Sequence, residues 1–454
     1  MELDTGNTAW MLMSSSLVLL MTPGLAFFYG GMVRGKSVLN MMMMSFGAMG
    51  VVALIWVLWG YSGTFGGDIG GFVGNPLEYF GLSSLTDDES LMAASGVPAL
   101  VAVGYQATFA IITVALISGA IADRTKFGSW LVFTALWVTF CYVPIAHMVW
   151  GGGLLGADGI TSGWSTPIDF AGGTVVHINA GVAGLVLALL LGKRRGFGRE
   201  PMRPHNLPFV MLGAALLWFG WFGFNAGSEF AADDVSGRAW LNTLVATSAA
   251  MLAWLLTEKF RDGHATSLGA ASGVVAGLVA ITPAAAAVDT FGAIAIGVVA
   301  GVLCALAVGL KYRFGYDDSL DVVGVHLVGG LVGTVLIGFF ATDTNNAWYP
   351  EGAQNGLFYG GGVTQLGTQV VVALVAVVIS AAVTFAIGAI LRATIGLRVS
   401  DEVEVAGVDQ AVHGETAYET LGGARRLGGG DTGGRAAEPA YETLGDTRVT
   451  TEAK

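Results

Sequence analysis

The sequence predicts an all-α polytopic membrane protein: eleven transmembrane helices, as a 5+5 inverted repeat plus one extra helix. Three observations predict it. Apolar runs of spanning length recur along the chain, Lys and Arg occupy alternate loops, and two related Asp–His motifs head the fifth and tenth runs. Composition agrees. Of 454 residues, 54% are hydrophobic and 12% charged, where soluble domains carry about 25% charged residues. The 69 glycines are roughly twice average usage, and small residues let membrane helices approach closely.

A span needs about 20 apolar residues. Runs of that kind lie at 8–30, 39–62, 97–121, 127–152, 172–192, 207–226, 239–258, 267–285, 290–310, 320–341 and 364–391. The eighth and ninth are parted only by a short alanine-rich turn ending at Val288 and Asp289. The segment Met1–Asn7 lacks the basic start of a signal peptide, so the first run reads as a retained span. Cys141 and Cys304 lie inside apolar runs. They form no disulfide framework and no metal-ligand spacing, so no metal or cofactor is expected.

Basic residues orient the spans. One set of loops holds Arg34, Lys36, Arg124, Lys126, Lys193, Arg194, Arg195, Arg199, Arg203, Lys259, Arg261, Lys311 and Arg313; the other set holds only Arg238. The first set reads as cytoplasmic, which puts the N-terminus outside and the C-terminus inside. Spans one to five then begin outside and six to ten inside. Two fives of opposite sense make an inverted repeat with its site near the midplane. The expected transmembrane domain is 1–397, with repeat one at about 8–192, repeat two at about 207–341 and the extra helix at about 364–391. Residues 398–454 read as a cytoplasmic regulatory tail. It is acidic at Asp401, Glu402 and Glu404, and it repeats Ala-Tyr-Glu-Thr-Leu-Gly at 417–422 and 440–445. Disorder is expected beyond about 422, with a Gly-rich linker between the duplicates. The net charge of −12 lies largely in this tail and the outer loops and marks no acidic binding surface. The basic loop 193–203 is explained by topology, and no nucleic-acid motif is present.

The stretch Asp169-Phe-Ala-Gly-Gly-Thr-Val-Val-His-Ile-Asn179 heads span five, and Asp321-Val-Val-Gly-Val-His-Leu-Val-Gly-Gly330 heads span ten. An ionisable group within a membrane span is a candidate functional group. Asp169 and Asp321 read as helix N-caps, where a carboxylate meets orphan amides and the positive helix end. On a continuous helix His177 lies about 12 Å past Asp169 and His326 about 7.5 Å past Asp321. With both caps at the edges of a core about 30 Å thick, the histidines would miss each other by about 10 Å. The caps are therefore expected to be recessed beneath vestibules, with His177 and His326 meeting at mid-membrane. A lone apolar-face histidine is usually a satisfied core residue; two at related positions in opposite halves favour a pore pair. Two neutral imidazoles share one proton, one donating while the other accepts. Such a pair can bind a small neutral molecule or relay a proton, and in an apolar pore a second proton on it is disfavoured.

Three aromatic motifs stand out, those of spans four and six lying at the outer face. They are Tyr105-Gln-Ala-Thr-Phe109-Ala in span three, Ala146-His-Met-Val-Trp150-Gly-Gly-Gly153 ending span four, and Gly220-Trp-Phe-Gly-Phe224-Asn-Ala-Gly-Ser228 ending span six. Tryptophan at a membrane interface is commonly an anchor. Here Trp150 adjoins three glycines and Phe224 stands one turn from Ser228. Aromatic faces with a hydroxyl suit a small cation.

These stretches, with Pro204-His-Asn-Leu-Pro208 and Pro23-Gly-Leu-Ala-Phe-Phe-Tyr-Gly-Gly-Met-Val-Arg-Gly-Lys36, resemble the ammonium transporter family (Amt/MEP/Rh), Amt branch. The resemblance covers residues 8 to about 418. It implies a homotrimer of eleven-helix protomers in the cell membrane, each with a narrow hydrophobic pore for ammonium or ammonia. On that resemblance Trp150, Phe109 and Ser228 form the outer recruitment site, and Phe109 and Phe224 the stacked gate. His177 and His326 are the twin pore histidines, and Asp169 supports structure and deprotonation. Thr282 and Gln106 occupy less certain outer-pore positions. Gly407–Tyr418 is similar to the C-terminal segment that packs on the cytoplasmic face and communicates with PII-type signalling proteins.

The expected mechanism follows. Ammonium and potassium are similar in size, so a pore that strips the charge discriminates where radius alone does not. Ammonium binds outside, loses its proton and crosses the histidines as ammonia, with net charge transfer. The alternatives are an electroneutral ammonia or carbon dioxide channel of Rh type, and an ammonium sensor signalling through its tail. An enzyme is least expected, since the chain has no nucleophile–base pair, metal spacing or phosphate loop.

Overall fold

The computed structural model describes residues 2–85, 95–344 and 346–418. Among them, eleven helices are long and apolar enough to cross a membrane: Thr5–Met32, Val38–Phe65, Ala99–Ile121, Phe127–Trp150, Gly173–Leu191, Leu207–Glu229, Asp234–Asp262, Ser267–Ala284, Thr290–Phe314, Val323–Phe340 and Thr364–Thr394. These are spans one to eleven. The protein is a multi-pass membrane protein of the cell membrane. All eleven expected runs are present; their ends shift by up to five residues because polar caps, invisible to hydropathy, continue the helices. Span seven shows this. Asp233 accepts from the amides of Val235 and Ser236 and starts the helix at Asp234, well ahead of the apolar run. Asp289 caps span nine through the Gly292 amide, so the alanine-rich turn does separate two helices.

Span one packs along span six, span seven against eight and nine, and span eleven against five and ten. The two halves also meet where spans five and ten cross. Gly181 and Gly330 each stand four residues past their histidine. A Cβ on Gly181 would overlap the backbone nitrogen of Leu327, and one on Gly330 would lie 3.1 Å from that of Ile178. Leu327 and Ile178 each follow the opposite histidine, so the contact is reciprocal. Glycine at both places permits the approach that brings the histidines together.

On the face carrying the basic loops, residues 397–413 are pinned to the membrane helices. The amides of Leu39 and Asn40 donate to the Asp409 carboxylate, which caps span two, and Lys36 Nζ donates to Val405 O. Arg398 pairs with Glu404 at 2.6 Å, and Arg195 with Asp401. The Val399 amide donates to Arg124 O and the Lys126 amide to Leu397 O. The Pro204–Pro208 motif is a clamp on the same face. His205 Nδ1 faces Val33 O at 2.9 Å, and Asn206 caps span six through the Phe209 amide. The chain divides into a unit over Met1–Ala417 and a second over Tyr418–Lys454, of which only Tyr418 is described. The expected disorder beyond about 422 and the second copy of the duplication lie outside the described residues.

Candidate functional site

Spans five and ten do not begin at their aspartates. Residues 169–172 are non-helical, and span five opens at Gly173 with a wide π-helical turn, Gly173–Ile178. The Asp169 carboxylate accepts from the amides of Gly172, Gly173, Thr174 and Val175, at 2.6 to 3.3 Å. The cap therefore acts from ahead of the helix. His177 lies about one turn inside the helix, not the 12 Å expected for an unbroken one.

The expected cap of span ten is corrected. The amides of Val322 and Val323 donate to Asp318, at 3.1 and 2.8 Å, whereas Asp321 pairs with Lys311 at 2.6 Å. Asp318 precedes His326 by the same eight residues that separate Asp169 from His177. Three residues past each aspartate the backbone turns left-handed, at Gly172 (φ 110°) and Asp321 (φ 65°). Span ten also opens with a π-helical turn, Val323–Leu327. The re-entrant backbone leans on equivalent helix ends. The Phe170 amide donates to Pro283 O of span eight, and the Ser319 and Leu320 amides donate to Ala120 O and Gly119 O of span three. Sequence reading chose Asp321 because it stands nearer the apolar run; the eight-residue spacing was the available signal for Asp318.

His177 and His326 meet with Nδ1 atoms 3.4 Å apart and ring centroids at 5.4 Å. Both are buried. Opposite tautomers are required, one Nδ1–H pointing at one bare Nδ1. Trp221 stacks on His177 at 5.4 Å, and its Nε1 donates to Thr282 Oγ1 at 2.8 Å. Thr282 is thus a support for Trp221 and is absent from the wall of the cavity on the face opposite the basic loops. The lumen beside the pair is a cavity of about 10 Å³, walled by apolar side chains such as Leu25, Phe28, Ile112 and Val275 apart from the two imidazoles and Trp221. That volume suits about one water-sized molecule.

On the face opposite the basic loops lies a cavity of about 310 Å³. Phe109, Trp150, Ser228, Gln106 and Asp169 all line it. Phe109 and Phe224 are stacked at 4.0 Å and 18°, closing its floor above His177, whose ring lies 6.2 Å from Phe224. Trp150 meets Phe109 edge-on at 6.1 Å, and its Nε1 donates to Asp169 O at 2.9 Å. Ser228 Oγ donates to Phe224 O at 2.9 Å and lies 3.2 Å from the Tyr105 hydroxyl. With that proton committed, its lone pairs remain as acceptors. Gln106 Oε1 is buried without a partner. Sequence reading missed Tyr61, Phe65, Phe170, Phe230 and Trp348, which complete the cavity wall. Phe170 adjoins Asp169 and was within the motif; Trp348 arrives from a loop that carries no pattern. No group of three or more His, Cys, Asp or Glu among the described residues is placed to hold a metal.

Comparison with known proteins gives a consistent result. The model for the Ammonium Transporter Family matches residues 9–418. An ammonium transporter of Mycobacterium tuberculosis is 58% identical over 437 residues, covering 92% of this chain and 91% of that one. One from Aquifex aeolicus is 50% identical over 422 residues, covering 92% and 94%. The crystal structure of Saccharomyces cerevisiae Mep2 superposes with a TM-score of 0.80 at 35% identity, covering 88% of this chain and 91% of that one. A protein described as a sensor Amt protein superposes equally well, at 0.80 and 28% identity, over 89% and 98%.

Proposed function

The chain belongs to the Ammonium Transporter Family, and from that premise we propose that it recruits ammonium, deprotonates it and passes ammonia through a twin-histidine pore, the released proton crossing separately so that net charge is transferred. The observation that carries this reading is the change of chemistry along one line. An aromatic cavity with a hydroxyl acceptor and a carboxylate in its wall gives way, beneath two stacked rings, to a lumen whose polar groups are two imidazoles and an indole already engaged by Thr282. Trp150, Phe109 and Ser228 hold the cation, by ring faces and a lone pair. Phe109 and Phe224 gate. A bare ammonium ion in the lumen would lose its hydration without replacement, at a cost that favours release of the proton first. The positive ends of spans five and ten point at the same region and add to that cost, each balanced by a carboxylate, Asp169 or Asp318. Asp169 fixes the helix that carries His177 and lies close enough to the cavity to favour the leaving proton.

On the bias of Lys and Arg to cytoplasmic loops, residues 397–413 lie on the cytoplasmic side and the N-terminus outside. The working unit is a homotrimer. The tail segment Gly407–Tyr418 offers a surface to a PII-type protein. The transport domain is 1–397, and the regulatory tail 398–454.

The electroneutral alternative is disfavoured by Ser228 and Trp150, since a neutral gas needs neither an acceptor nor a ring face. Ammonium-evoked current from protein reconstituted in liposomes tests the point. A current that saturates with ammonium and is absent with potassium is expected; ammonia entry without current would overturn charge transfer.

A further inference from the structure

Span eleven stands outside the twofold repeat, yet it holds the segment on which the cavity and the pore both depend. Residues 165–170 are non-helical backbone at the head of span five. Such backbone persists at membrane depth only where protein satisfies its polar groups. Gln365 and Gln369 lie one turn apart on span eleven, both buried. The Gln369 carboxamide meets both polar groups of one residue: the Ile168 amide donates to Oε1 at 2.8 Å, and Nε2 donates to Ile168 O at 2.7 Å. Nε2 also reaches Thr334 O of span ten at 3.3 Å. Gln365 Oε1 accepts from Ser165 Oγ at 2.5 Å, and its Nε2 donates to Thr166 O and to Gln369 Oε1, both at 3.2 Å. The pair substitutes for a neighbouring strand.

The residue after Ile168 is Asp169. Its carbonyl takes the Trp150 indole N–H, and its carboxylate holds the amides that open the His177 helix. A shift at Ile168 thus moves the cation site and the pore together. The opposite re-entrant segment is held by charge instead. Arg124 donates to Ser319 Oγ and Asp317 O, each at 2.6 Å, and Arg194 grips the Asp317 carboxylate. A guanidinium in the position of Gln369 would set a positive charge behind Asp169 and repel an incoming cation. A carboxamide fixes the backbone without that field.

We propose that Gln369 is a positioning residue for cation recruitment, acting through Ile168 and Asp169 on Trp150 and His177. The proposal rests on the reading of Trp150, Phe109 and Ser228 as the recruitment site. The test is ammonium-evoked current from protein reconstituted in liposomes, normalised to protein that elutes as a single folded species. Gln369→Leu is expected to raise the half-saturating ammonium concentration about tenfold, with a smaller change in maximal rate. Gln369→Glu, which keeps an acceptor for the Ile168 amide, is expected to lie between the two. A folded Gln369→Leu protein with wild-type half-saturation, or one that loses maximal rate alone, overturns the proposal. If the leucine variant does not fold, wild-type half-saturation in Gln369→Glu overturns it. Wild-type half-saturation in Trp150→Ala would instead overturn the recruitment reading, with span eleven untouched.

Discussion

The Nδ1 atoms of His177 and His326 face each other at 3.4 Å, one histidine from each half of the chain. The distance lies just beyond an ordinary N–H···N bond. It leaves room for exchange of a single proton between two neutral rings, and among the described residues no carboxylate lines the cavity beside them. Replacing either with alanine is expected to abolish selective flux. Ammonium uptake that still excludes potassium in both single variants would sink the assignment.

On the proposed reading, recruitment depends on Trp150 and Ser228. A cation–π contact is worth about 0.5–2 kcal/mol, so Trp150→Leu is expected to raise half-saturation several-fold, up to about thirtyfold. Ser228→Ala removes one acceptor and is expected to act in the same direction. Titration of ammonium-evoked current checks both. Unchanged half-saturation in the pair would place the cation elsewhere.

The two aspartates ahead of span ten separate cleanly. Asp318 caps the His326 helix, whereas Asp321 pairs with Lys311 near the surface. Loss of a cap costs about 0.5–2 kcal/mol. Asp318→Ala is expected to impair flux per folded protein more than Asp321→Ala does. The reverse order in the same liposome assay would restore Asp321 as the cap.

Acid stability has an identifiable contributor. Burial alone would raise the Asp317 pKa, but its bonds with Arg194 outweigh burial and hold it below the usual carboxylate range. A carboxylate with a depressed folded pKa binds fewer protons folded than unfolded. Its stabilisation is therefore complete above the unfolded value near about 3.9 and is lost as pH falls through the folded one. Melting of the detergent-solubilised protein is expected to hold steady from neutral pH to about 5 and to decline below about 4. Removing one partner of a buried pair costs about 3–5 kcal/mol, so Asp317→Asn is expected to melt earlier at neutral pH and to lose less on acidification. An unchanged acid limb in that variant would remove Asp317 from the account.

Much of the architecture was legible in the sequence because the bilayer imposes a one-dimensional rule. Each helix must cross a fixed apolar thickness, so length and hydropathy alone located all eleven spans, and the recurrence of an Asp–His motif in spans five and ten marked their kinship. The types of residue suited to the site were equally legible, since Trp150, Phe109, Ser228, His177 and His326 are polar or aromatic exceptions in apolar or glycine-rich surroundings. Tertiary structure decided the rest. Only the fold showed that the backbone ahead of each half-span is non-helical, which moved His177 to within about a turn of its helix end and passed the inner cap from Asp321 to Asp318. Only the fold brought Trp348 and Phe170 over the cavity, removed Thr282 from its wall to hold Trp221, and set Gln369 of the last span against Ile168. Those placements depend on hydrogen bonds between residues far apart in the chain, and no local pattern of hydropathy or charge encodes which distant backbone group a buried carboxamide will meet.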